Sequence, residues 1–144
     1  MLAFFLLIEK LISLGKPTLL LLQQLLAVNL TPVANSNTHF HFYEAKPNSG
    51  IIESVDYREP YSQPTKAFLV LNLQPSQLKL QDFQKRYGDP KISDLSAHHP
   101  TFIGYTFKIN GKSLFVNAEA KTGMVLSVSI DYAQASIKGN YETK

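Results

Sequence analysis

The stretch that decides the fold is residues 102–132, which read FIGYTFKINGKSLFVNAEAKTGMVLSVSIDY. Apolar and polar side chains alternate in three runs, which is typical of strands with one buried and one solvated face. Asn110-Gly111 favours a tight hairpin because both positions accept a positive φ, and Lys121-Thr122-Gly123 predicts a second turn. The stretch therefore predicts a three-stranded antiparallel meander. The residues expected on its inner face are Ile103, Tyr105, Phe107, Ile109, Leu114, Val116, Ala118, Leu126, Val128, Ile130 and Tyr132.

A single amphipathic helix precedes the meander. Leu80, Phe83 and Tyr87 recur at helical spacing and share one face. Pro75-Ser76 is expected to open the helix, and Gly88-Asp89-Pro90 to end it, because glycine accepts the left-handed conformation and proline cannot continue a helix. The apolar face of this helix is the natural cover for the meander.

Three further strands are predicted upstream, in residues 39–43, 51–57 and 67–73. The third is a continuous apolar run, which indicates a central strand buried on both faces. The predicted fold is α+β: an antiparallel β-sheet with one packed helix in the order β-β-β-α-β-β-β, preceded by an N-terminal apolar helix. Residues 37–133 form the predicted domain, residues 134–144 a flexible tail, and the order of the strands stays open.

Residues 1–36 are predicted to be a signal peptide or a membrane anchor. Lys10 and Lys16 precede an apolar run at 19–28, and residues 34–36 offer a small-residue cleavage site. The second interpretation is a retained anchor or a membrane-surface helix that contacts lipid through residues 1–28. The third is a helix buried in the domain. The favoured location is periplasmic or secreted, with a membrane-anchored protein as the alternative.

Residues 78–132 resemble the helix-plus-meander unit of the β-lactamase-inhibitor-like proteins and of the SmpA/OmlA outer-membrane assembly lipoproteins. In that group a Gly-x-Pro step ends the helix and a glycine precedes a valine in the last hairpin; here these are Gly88-Asp89-Pro90 and Gly123-Met124-Val125. The chain lacks the lipoproteins' anchoring cysteine, and Tyr105 or Phe107 stands where the group often has tryptophan. The resemblance implies a periplasmic or secreted scaffold that works by protein contact and has no catalytic residues.

Composition argues against several classes of function. The net charge is +3, and the longest basic cluster is Lys85-Arg86, so the stripe of basic residues typical of nucleic-acid binding is missing. The chain has no cysteine, which excludes thiolate chemistry and cysteine-based metal sites. The sequence contains no glycine-rich phosphate loop and no Gly-x-Ser-x-Gly motif. We therefore predict a non-enzyme that needs no cofactor.

Histidines offer the one alternative chemistry. His39 and His41 lie two residues apart on a predicted strand, so they point to the same side. His98 and His99 could add ligands from a loop, and neutral imidazoles suit zinc, copper or nickel. The alternative function is therefore a periplasmic metal-binding protein.

Aromatic residues of the meander carry the preferred functional hypothesis. Phe102 and Phe115 fall on the face opposite the predicted core, where they could form an exposed apolar patch that marks a contact surface. We predict a protein-contact site made of Phe102, Phe115 and Tyr105, and another envelope or secreted protein as the partner. The competing expectation is a sandwich in which the upstream strands cover this face.

Overall fold

The computed structural model describes residues 1–34, 39–48, 50–62, 66–95 and 101–133. These residues contain three helices and eight strands. The helices are α1 (Leu2–Ser13), α2 (Leu19–Leu26) and α3 (Leu80–Tyr87). The strands are β1 (Thr31–Pro32), β2 (Phe40–Ala45), β3 (Ile52–Pro60), β4 (Phe68–Leu73), β5 (Lys91–Leu95), β6 (Phe102–Ile109), β7 (Lys112–Glu119) and β8 (Val125–Asp131). The predicted tail lies outside the described residues.

All eight strands form one antiparallel sheet in the order β1-β2-β3-β4-β8-β7-β6-β5. The sheet consists of two four-stranded halves, the first preceded by α1 and α2 and the second by α3. The last strands of the two halves, β4 and β8, pair at the centre, where Val70 lies opposite Ser129. The predicted α+β fold is confirmed. The sandwich expectation is wrong, because the upstream strands extend the sheet edge to edge and do not fold over it.

Strand β4 has the predicted central position but is not buried on both sides. Leu69 and Leu71 are buried, whereas Phe68 and Val70 are only half-buried. The helices lie on one side of the sheet, so only every second residue of the apolar run reaches the core. We call this covered side the helix face and the other side the open face.

Helix α3 confirms the predicted amphipathic pattern but begins later than Pro75-Ser76. The backbone of residues 78–80 first pairs with the β7–β8 turn: Val125 N donates to Leu78 O at 2.9 Å and Leu80 N donates to Gly123 O at 2.8 Å. The helix therefore starts only at Leu80, where the Asp82 carboxylate accepts from Lys79 N at 2.8 Å. Phe83 is fully buried, and Gly88 ends the helix with φ +85°.

The meander β6–β7–β8 forms as predicted, with one difference in register. Asn110 and Gly111 have φ +52° and +80°, as the tight hairpin requires. A register shift between Asn117 and Ala118 brings Val125 opposite Ala118. Val125 is therefore the residue buried at the start of β8, and Leu126 is only half-buried, contrary to the simple alternation.

Helices α1 and α2 pack on the helix face. Phe5, Ile8, Leu11 and Leu22 are at most 4% exposed. The Phe5 ring meets the Phe83 ring edge-on, with centroids 5.1 Å apart. This packing is the arrangement described by the buried-helix interpretation of residues 1–36.

Two polar contacts tie α1 to the rest of the domain. The Tyr132 hydroxyl donates to the Leu11 carbonyl at 2.8 Å in a buried position. Glu9 accepts from Arg86 Nε at 2.6 Å and from the Tyr87 hydroxyl at 2.7 Å. In the described part of the chain, no helix has the length and apolar character needed to cross a membrane.

Candidate protein-contact site

The open face presents side chains from all eight strands, arranged in rows that run across the sheet. Because antiparallel partners directly opposite each other share a face, the strand register assigns its members. The central row crosses all eight strands: Thr31, Glu44, Asp56, Val70, Ser129, Phe115, Thr106 and Lys91. The row beside it contains Ser54, Asn72, Ser127, Asn117 and Gly104. No described helix or strand covers these rows.

Phe102 and Phe115 lie on this open face, as the alternation of the meander predicts. Phe115 is half-buried between Thr106 and Ser129, its partners on the neighbouring strands. Phe102 is 47% exposed and lies opposite Glu119 near the start of β6. An aromatic ring with half of its surface in water is a strong candidate for an interface anchor.

Tyr105 lies on the other side of the sheet. Its partners on β7 and β5 are Val116 and Ile92, and Val116 is buried in the core. The Tyr105 ring packs against that core from the helix face. The structure therefore does not bring Tyr105 together with Phe102 and Phe115, because its position in β6 has the opposite parity.

Polar groups at the centre of the open face are held in fixed positions. Asn72 Nδ2 donates to Asp56 Oδ2 at 2.9 Å and to Ser54 Oγ at 3.0 Å. These bonds join β3 to β4 and fix the orientation of the amide and the carboxylate. A partner would therefore meet a preformed polar surface, which lowers the entropic cost of binding.

A second aromatic group lies on the open face at β2. The rings of Phe40 and Phe42 are nearly parallel, at an interplanar angle of 7° and a centroid distance of 6.2 Å. The guanidinium of Arg58 lies 5.4 Å from the centroid of the Phe42 ring. Phe68 on β4 lies opposite Arg58 on β3 and completes this row. Aromatic residues and arginine are the types most enriched at the energetic centres of protein interfaces.

Sequence patterns did not place Arg58, Phe68, Val70 or Asn72 on an uncovered face. The apolar run of β4 indicated burial on both faces, whereas Phe68 and Val70 are half-buried on the open face. The alternation Ser54–Asp56–Arg58 in β3 was a usable signal, since it places three polar groups on one face.

The histidines do not form a described metal centre. His39 and His41 are both exposed, and the His41 ring contacts the Tyr61 ring at a centroid distance of 4.0 Å. His98 and His99 lie outside the described residues. Within the part of the chain that the structure describes, no group of three or more His, Cys, Asp or Glu side chains could hold a metal ion.

Close to His41, the helix face carries a tyrosine pair. Tyr57 is fully buried, and its hydroxyl donates to Glu59 Oε2 at 3.3 Å. Burial, reinforced by the negative charge of Glu59, raises the pKa of Tyr57 well above its usual range. Burial likewise raises the pKa of Tyr43. Both phenols therefore stay neutral at physiological pH, which suits a structural role in the core.

No protein-family model, curated protein or solved structure matches the chain.

Proposed function

We propose that the chain is a small binding or scaffold protein that recognises a partner protein through the open face of its sheet. The observation that supports the proposal is the presence of five phenylalanines on a sheet face that no described element covers. They are Phe40, Phe42, Phe68, Phe102 and Phe115. Antiparallel sheets commonly leave one face to water, but such a face is normally polar. Aromatic area left in contact with water marks interaction surfaces.

The chemistry of the open face fits a protein better than a nucleic acid. Four acidic side chains of the described open face, at Glu44, Asp56, Glu119 and Asp131, stand against three basic ones at Arg58, Lys91 and Lys108. This balance does not attract a phosphate backbone. Phenylalanines separated by hydroxyl, amide and carboxylate groups suit a protein surface that offers apolar anchors together with hydrogen-bonding groups of both kinds.

A matched pair of exposed residues tests the proposal. Phe102 and Ile92 lie on neighbouring strands and are 47% and 60% exposed, but on opposite faces of the sheet. Affinity capture from envelope and secreted fractions is compared for the full chain, Phe102→Gln, Phe115→Ala and Ile92→Gln. Phe102→Gln and Phe115→Ala should each capture a partner of the open face at least about tenfold less than the unsubstituted chain, as expected for interface anchors. Ile92→Gln should capture it as well as the unsubstituted chain.

The control must show that each variant is folded, which circular dichroism establishes. Capture of a discrete protein that is unaffected by Phe102→Gln and Phe115→Ala refutes the proposal. Recovery of nothing above background from either fraction also counts against it.

The partner and the periplasmic or secreted location that the sequence predicts stay part of this proposal, on the resemblance of residues 78–132 and not on cleavage of residues 1–36. We propose another envelope or secreted protein as the partner, in line with the resemblance of residues 78–132. Residues 1–30 are proposed to be retained in the folded protein, because their buried side chains complete the helix face. Metal binding stays a hypothesis, which elemental analysis of the dialysed protein and zinc titration of a His39→Ala/His41→Ala variant would test.

A further inference from the structure

The two N-terminal helices expose leucines on their outer sides. Eight large apolar residues of the described chain are exposed, and five of them lie within residues 1–21: Met1, Leu2, Leu6, Leu20 and Leu21, at 60%, 61%, 44%, 63% and 39%. Leu2 and Leu6 are one helical turn apart on α1, and Leu20 and Leu21 lie at the start of α2. Single exposed leucines need no explanation, but a concentration on one helix pair marks a contact surface. We call these five residues the outer helix surface.

Basic side chains flank this surface. Lys10 and Lys16 are exposed at the end of α1 and in the connection to α2. Glu9 is the only acidic residue in residues 1–30. Its carboxylate is already bonded to Arg86 at 2.6 and 3.2 Å and to the Tyr87 hydroxyl at 2.7 Å. The Glu9 carboxylate is thus paired with α3 and not with Lys10, and no other acidic residue lies on α1, on α2 or in the connection that holds Lys16.

We propose that the outer helix surface rests on an anionic lipid surface. Short helices with a leucine-rich outer side and lysines at its edge lie in the plane of the interface, where the leucines enter the acyl boundary and the lysines meet the headgroups. Helices of 12 and 8 residues suit this orientation. The lipid would hold the helix face toward the membrane and leave the open face directed to water.

Vesicle flotation tests this inference with the full chain. The probes are phosphatidylcholine vesicles with and without phosphatidylserine. The protein floats with the anionic vesicles, and added salt weakens the binding because it screens the lysines. Leu6→Gln combined with Leu20→Gln lowers the partition coefficient by about tenfold or more, since two apolar side chains no longer enter the interface. Lys10→Gln lowers it by about fivefold.

Phe102→Gln is the matched control, because Phe102 is 47% exposed, close to the 44% of Leu6, but lies on the open face, which the proposal directs to water. It leaves flotation unchanged. The inference is overturned if the full chain does not float with anionic vesicles, or if the double leucine variant floats as well as the parent. A dimer that depends on Leu6 and Leu20 and does not float assigns this surface to a second copy and also overturns it. Partner capture by the open face is measured separately, so either proposal can fail alone.

Discussion

The substitution Ile8→Ala measures how strongly the N-terminal helix is built into the domain. Ile8 is fully buried in the middle of α1. The change removes three carbon atoms, which at about 0.8 kcal/mol per buried methylene gives about 2.4 kcal/mol of lost transfer free energy. The cavity left behind raises the expected loss in the free energy of unfolding to about 3–4 kcal/mol. For a chain of this size such a loss lowers Tm by about 6–15 °C.

Leu2→Ala is the matched control for this experiment. It removes the same number of carbon atoms from the same helix, but Leu2 is 61% exposed. Its expected cost is under about 1 kcal/mol. Urea and thermal unfolding of the three full-length proteins, followed by circular dichroism, give the comparison. Equal stability of Ile8→Ala and Leu2→Ala would show that α1 does not contribute to the core, and the reasoning on residues 1–30 would then be wrong.

Three further results are expected. The hydrogen bond from Arg86, aided by that from Tyr87, lowers the pKa of Glu9 from its ordinary value of 4.5. The ionised Glu9 carboxylate therefore stabilises the folded state above pH 4.5, and this contribution is lost as the pH falls through the folded-state pKa. The Tm difference between the parent and Glu9→Gln should vanish in acid, and a difference that stays constant with pH would contradict the assignment. Tyr132→Phe should cost about 1 kcal/mol, because it removes the buried donor to Leu11 O, and an unchanged urea midpoint would argue against that bond. Mass spectrometry of the protein from cells should show residues 1–36 retained, and a mass lacking them would establish cleavage.

The local elements could be predicted because their signals lie close together in the sequence. The Asn110-Gly111 hairpin depends only on the backbone preferences of two residues. The spacing of Leu80, Phe83 and Tyr87 depends only on the helical repeat. The opposite faces of Phe102 and Tyr105 follow from the alternation within one strand, so the prediction that grouped Tyr105 with Phe102 in one contact site was wrong. None of these predictions needed information on how the strands are ordered.

The rest depended on contacts between distant residues. The pairing of β4 with β8 places Leu69 opposite Ile130. No local sequence signal indicates that the last strands of the two halves of the sheet will pair with each other. The apolar run of β4 therefore suggested burial on both faces, whereas only one face is covered. Strand β1, with two residues, is too short to give a periodic signal, and it forms only because Thr31 and Pro32 pair with the edge of β2.

The same limitation applies to residues 1–36, for which the sequence predicts a signal peptide or a membrane anchor. A leucine-rich segment near two lysines has the composition of an export signal. Composition does not show which of its apolar side chains are buried. The structure separates them: Ile8 and Leu11 face the sheet, whereas Leu2 and Leu6 face outward. Such a division within one helix is typical of a segment that packs on a core.

Removal of the segment would cost this fold part of its core. Residues 1–36 supply eight of the 27 buried apolar residues of the described chain. Their removal would uncover the Phe83 ring and leave the buried Tyr132 hydroxyl without its acceptor on Leu11. The helix face would then be a second apolar surface, opposite the open face, and a sheet with apolar residues exposed on both sides is prone to aggregate. A cleaved protein would need another apolar surface, such as that of a partner, in place of α1 and α2, and for this reason we propose that the segment is retained.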